Sequence, residues 1–129
     1  MTNESKPRVY LVGTGGSISF VGRTRTDYTN YSYEGKHLTI DQMLERVPET
    51  KGFADVRAEQ FLNLGSTDIT PEHWLGLAKR INQIFRDDPG AAGVAVTHGT
   101  ATLEETAYFL NLTVKSNRPV VITGAMRPP

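Results

Sequence analysis

Apolar positions fall into two kinds of block. Arg8–Val12, Gly93–Thr97 and Val120–Thr123 are short, rich in β-branched residues and almost free of charge. Such runs read as strands buried on both faces of a parallel sheet. Val56–Leu64 also reads as a strand. Between these runs the period lengthens to that of a helix. Ile40, Met43, Leu44 and Val47 stand at i, i+3, i+4 and i+7, behind a Thr39/Gln42 capping box and before Pro48. Trp74, Ala78, Ile81 and Phe85 share a face, with Leu77 and Ile84 adjoining. Thr70 is the N-cap of that helix and Pro71 its first residue. Leu103, Ala107, Leu110 and Val114 point one way from a third helix, which Arg118-Pro119 ends. Thr102 and Glu105 have capping-box spacing at its start.

Strand, helix, strand, helix, strand predicts an α/β fold with a doubly wound, flavodoxin-like parallel sheet. One domain over residues 1–129 is expected. A parallel sheet needs both faces covered, and no crossover helix follows Val120–Thr123. The sheet therefore reads as incomplete at its C-terminal end. Its bare edge is expected to make the chain a homo-oligomer, or to pair it with a complementary chain carrying the rest of the domain.

Composition narrows the partners. The 14 basic residues balance the 14 acidic ones, and no polybasic run suggests nucleic acid or a membrane surface. Apolar runs are strand-sized, so no membrane span is expected. The opening residues lack the apolar core of a signal peptide. With no cysteine, disulfides, thiol catalysis and cysteine-ligated zinc are excluded. A cytoplasmic location fits. His37, His73 and His98 have no metal-ligand spacing, and no cofactor is expected.

The chemistry lies where strands end. Gly13-Thr-Gly-Gly-Ser17 follows the first strand. It is not the dinucleotide fingerprint, because Ile18 stands where the third glycine is needed, nor a phosphate loop, because it has no lysine. What remains is the Thr14 hydroxyl among backbone donors: a nucleophile beside an oxyanion hole, or a simple tight turn. Ser66-Thr67-Asp68 is a second small polar turn. His98-Gly99-Thr100 is a third, where Thr100 is either presented to a ligand or merely turn chemistry. In a parallel sheet these ends share one edge, where ligands bind. Hydroxyls and glycines without metal ligands suggest acyl transfer on a small polar substrate by a threonine nucleophile. Residues 22–38 form a polar loop too long for a plain connection. Tyr28, Tyr31 and Tyr33 argue for a lid, since disordered segments are poor in aromatics.

These motifs resemble the bacterial-type L-asparaginases. Gly13-Thr-Gly-Gly-Ser-Ile18 is similar to the family's first threonine motif, and Thr97-His-Gly-Thr-Ala-Thr-Leu-Glu-Glu-Thr-Ala-Tyr-Phe-Leu110 to its second. Asn63-Leu-Gly-Ser-Thr-Asp68 resembles the substrate-binding turn, and Gly124-Ala-Met-Arg-Pro128 the landmark after it. The resemblance covers residues 8 to 128 and implies the amino-terminal part of such an enzyme, hydrolysing L-asparagine or a related small amide to aspartate and ammonia. Thr14 would be the nucleophile, flanked by the substrate-binding Gly13 and Gly15. Tyr31 would be the lid tyrosine, with Tyr33 as its rival. Ser66 would hold the substrate's α-carboxylate, with Thr67 beside it. Thr100 would position water or the acyl intermediate.

Two departures qualify this. Ala101 stands where the family has the aspartate that binds the substrate's amino group and joins a Thr-Lys-Asp relay. No lysine here matches the relay lysine, which in the family lies beyond the Gly-Ala-Met-Arg-Pro landmark. The chain alone is therefore expected to be inactive. The alternative is a non-catalytic small-molecule-binding module or partner subunit that kept the fold. A generic flavodoxin-like domain is disfavoured by the failed phosphate motifs.

Overall fold

The computed structural model describes residues 5–24, 26–29 and 35–129. Among these residues four parallel strands form one sheet in the order β2-β1-β3-β4: β1 Arg8–Gly15, β2 Asp55–Leu64, β3 Ala91–Thr97 and β4 Val120–Thr123. This is the doubly wound arrangement that alternating strands and helices imply. The chain winds one way from β1 to β2, then crosses back over β1 to β3, so β1 and β3 flank the switch point.

Helices cover both faces, and the two-residue period of β1 shows which covers which. Val12 joins Val94 and Val96 of β3 under α3 (Pro71–Asp87) and α4 (Leu103–Thr113). Leu11, its neighbour, faces Met43 and Leu44 of α1 (Ile40–Glu45) on the other side. The core under α3 contains Leu77, Ala78, Ile81, Ile84 and Phe85, all buried as their spacing predicts. Burying each of the larger ones, Leu77, Ile81, Ile84 and Phe85, contributes roughly 1.5–3 kcal/mol, which is why this face holds α3 to the sheet.

Local signals are realised at two of three helix starts. At Thr39 and at Thr70 the full capping box is present, with His73 Nδ1 accepting the Thr70 N–H at 3.1 Å. At Thr102 it is not. The Thr102 hydroxyl donates instead to the Ser66 carbonyl at 2.8 Å, and Thr100–Thr102 forms a 3₁₀ turn before α4 begins. A tertiary acceptor outcompeted the local donor, so the expected Thr102/Glu105 box is corrected. Sequence also missed α2, a single turn at Thr50–Phe53 after Pro48.

The β1–β2 ladder breaks once, where it matters. Gly13 pairs with Gln60, but Gly15 pairs with Leu64, so Thr14 stands opposite extra residues of β2. Such irregularities re-aim side chains near functional sites. The Gln60 amide spans the break. Its Oε1 accepts the Ile40 N–H at 2.7 Å, and its Nε2 donates to the Gly13 carbonyl at 3.3 Å and to the Leu62 carbonyl.

No helix among the described residues is long and apolar enough to cross a membrane.

Candidate active site

The turns leaving β1, β2 and β3 meet at the switch point, backbone against backbone. A Cβ built on Gly16 would lie 2.2 Å from the Gly99 Cα, and one on Gly99 would lie 2.6 Å from Ser66 Oγ. Only glycine permits either approach. Hydrogen bonds join the same turns. Gly16 N–H donates to the Leu64 carbonyl at 2.9 Å, and Ala101 N–H donates to Ser66 Oγ at 3.2 Å. Thr14, Ser66, Thr100 and Ala101 are thus gathered onto one vertex from positions far apart in the chain.

Their exposures differ. Thr14 lies within β1 rather than in the turn after it. It is 1 % exposed, and its Oγ1 donates to the Thr97 carbonyl at 2.8 Å. Ser66 is buried, while Thr67, Thr100 and Ala101 are exposed. The ring of free N–H donors expected around Thr14 is reduced, because β1 continues to Gly15 and Gly16 N–H is committed to Leu64. The Gly13 carbonyl is held by Gln60. Tyr31 and its rival Tyr33 lie outside the described residues. The base of the 22–38 loop is described. Val21 N–H donates to the Lys36 carbonyl at 2.9 Å and Leu38 N–H to the Ser19 carbonyl at 2.7 Å. Ser19 Oγ in turn donates to the Gly16 carbonyl at 2.8 Å, so the loop is rooted beside the glycine turn.

One buried network escaped sequence reasoning. His98 is fully buried, and its Nδ1 lies 2.7 Å from the Gly99 carbonyl, which can only accept. Nε2 is then the unprotonated nitrogen, 3.0 Å from Thr106 Oγ1. The Thr106 hydroxyl also lies 3.0 Å from the Thr102 carbonyl and accepts the Trp74 indole N–H at 2.8 Å. Trp74 on α3 and Thr106 on α4 thereby hold the turn that carries Thr100. The available signal was Trp74 itself, since a tryptophan on a core face needs a partner for its N–H.

Burial lowers the His98 pKa, against the Gly99 carbonyl and the charge of Glu105, which favour the protonated form. The unfolded chain therefore binds this proton more readily than the folded one. Stability should fall as pH drops below about 6.5, the ordinary imidazole value. Thermal melts between about pH 7 and pH 5 would show it. His98→Gln should lose about 1–3 kcal/mol near neutrality through the broken network, yet flatten the slope. An unchanged slope in that variant would assign the effect to other groups.

Among the described residues no group of three or more His, Asp or Glu side chains could hold a metal ion.

Comparison with known proteins matches residues 8–129 to the family model described as Asparaginase, N-terminal. The chain is 48% identical over 122 residues to L-asparaginase 2 of Bacillus subtilis (strain 168), covering 95% of this chain and 32% of that protein. It is 45% identical to the probable periplasmic L-asparaginase of Haemophilus influenzae, covering 95% of this chain and 33% of that protein. A solved structure, the probable cytoplasmic L-asparaginase from Campylobacter jejuni, superposes with a TM-score of 0.88 at 45% identity. That match covers 95% of this chain and 36% of the other. The chain spans about a third of the length of the curated relatives it matches.

Proposed function

This chain belongs to the asparaginase family, and on that footing we propose that it carries the threonine side of an amidohydrolase site for L-asparagine. The observation that supports this is the vertex at the switch point, where Gly16 packs on Gly99, Ser66 Oγ accepts the Ala101 N–H beside Thr100, and Thr14 donates to the Thr97 carbonyl. Thr14 Oγ attacks the carbon of the substrate's side-chain amide, giving up its proton as ammonia leaves and an ester forms. Water placed by Thr100 then cleaves the ester to aspartate and restores the hydroxyl. Ser66, with Thr67 at the rim, holds the α-carboxylate, and Gly13 and Gly15 keep the backbone close to the substrate. Before it can attack, Thr14 must release the Thr97 carbonyl, which holds its proton.

A specific observation favours the second reading, a binding module without turnover. Ala101 adjoins Ser66 but offers no carboxylate for the substrate's amino group. One experiment separates the two. The chain, once with Ala101 and once with Ala101→Asp, is joined to the part of the B. subtilis relative that it does not span. The Ala101→Asp graft should release ammonia from L-asparagine, and adding Thr14→Ala should abolish the release. Aspartate binding without ammonia would favour the module; full activity with Thr14→Ala would remove Thr14 as nucleophile.

Residues 22–38 act as the lid, rooted at Ser19–Val21 and Lys36–Leu38 beside Gly16, with Tyr31 or Tyr33 as its catalytic tyrosine. Lids of this kind exclude water when ligand binds. Limited proteolysis should cut first between residues 22 and 38, and aspartate should slow that cut. Cleavage at the same rate with saturating aspartate would count against a lid.

A further inference from the structure

At the opposite end of the sheet, before β4 begins, a cavity of about 400 Å³ lies between α3 and the segment joining α4 to β4. Lys79 and Arg86 of α3 line it, with Lys115 and Arg118 of the connecting segment. No carboxylate lines it, although the whole chain has a formal net charge of +0. The four cations are a local concentration, not a reflection of overall basicity.

A simpler reason for cations here is the partial negative charge at the ends of α3 and α4. Arg118 meets that need by itself. Its Nη1 donates to the Asp88 and Ala91 carbonyls at 2.8 and 3.1 Å, and its Nη2 to the Phe85 carbonyl. It also stacks on the Phe85 ring at 4.3 Å. Lys79 lies two turns inside α3, beyond the reach of the helix end. Among the described residues, the side chains of Lys79, Arg86 and Lys115 join no ion pair, whereas Arg8, Arg57 and Arg80 do.

The cavity wall is also held in place. Asn82 Oδ1 accepts the Lys115 N–H at 2.7 Å, and its Nδ2 donates to the Ala78 and Thr113 carbonyls at 2.9 and 3.1 Å. Ser116 Oγ, also in the lining, accepts the Arg118 N–H at 3.1 Å. Arg118 keeps its Nε–H and one Nη2–H. Like charges held close repel, and a multiply charged anion would relieve them.

We propose that this cavity binds a compact polyphosphate anion, either pyrophosphate itself or the phosphate chain of a nucleotide. The site is separate from the strand-end vertex and independent of the asparaginase reading. Titration calorimetry of the 129-residue chain with inorganic pyrophosphate, at constant ionic strength, tests it. One-to-one binding is expected, weakened at least about tenfold by Lys79→Ala combined with Lys115→Ala. Both side chains are exposed, so the variant should melt as the parent does. ATP binding as well as pyrophosphate would assign recognition to the phosphate chain, and much tighter ATP binding would make the ligand a nucleotide. No saturable pyrophosphate binding, or equal affinity in the double variant, would overturn the proposal. Displacement by aspartate would also overturn it, by placing the anion at the strand-end vertex.

Discussion

Ala101→Asp should raise asparagine turnover by about 10⁴-fold in the graft described above, the scale on which an orienting acid matters in a serine-protease triad. The position suits a carboxylate. Ala101 is exposed, so a larger side chain fits, and its backbone is fixed because its N–H donates to Ser66 Oγ at 3.2 Å. A carboxylate here would therefore stand beside Ser66, which we propose holds the substrate's α-carboxylate, and so within reach of an α-ammonium bound there. A hydrogen bond to a charged group contributes roughly 1.5–3 kcal/mol. That accounts for about ten- to a hundredfold in affinity. The remainder would come from the relay that the resemblance implies, whose members would act as a unit, so the two gains need not multiply. The ungrafted chain should release no ammonia above background with either residue. Ammonia assays that read kcat and KM separately would check both statements. Equal values for alanine and aspartate in the graft would mean the amino group is not recognised at this position.

Gly16→Ala should be one of the most destabilising single substitutions in this chain. Gly16 has φ 89° and ψ −179°, a conformation essentially confined to glycine. The new Cβ would also lie 2.2 Å from the Gly99 Cα and 2.4 Å from the Gly99 N. Both are backbone atoms, and Gly99 cannot retreat because Ser66 is packed behind it. Strain and clash together place the loss at about 4 kcal/mol or more, the exceptional end of single substitutions. Against a usual total of roughly 5–15 kcal/mol, that removes between about a quarter and most of the stability. Gly52→Ala is the internal control. Nothing lies within 4 Å of its added Cβ, and it sits in α2, so a gain of roughly 0.5–1 kcal/mol is expected. Urea melts of the two variants should therefore move in opposite directions. A Gly16→Ala protein as stable as its parent would mean the turns do not pack as described.

What the sequence determined by itself was written, for the most part, in near-neighbour spacing. The alternation of β-branched runs with i, i+3, i+4 stripes specified the parallel sheet and the buried face of α3, because strand and helix periods are local properties of the backbone. The caps at Thr39 and Thr70 were readable for the same reason: donor and acceptor lie within one turn. The glycine and threonine turns were readable as chemistry, and their shared edge followed from the sheet being parallel. Tertiary structure decided whatever depends on a distant partner. Thr102 matched its local cap signal yet donates to Ser66, 36 residues away, because a fixed carbonyl stood within reach. Thr14 was legible as a hydroxyl among glycines, but not as a buried one, because the Thr97 carbonyl that takes its proton is 83 residues along the chain. His98 looked like an isolated imidazole until α3 and α4 brought Trp74 and Thr106 to it. The cations at 79, 86, 115 and 118 are dispersed in a neutral chain. They become a single patch only because β4 pairs with β3, which seats the segment before it against the end of α3.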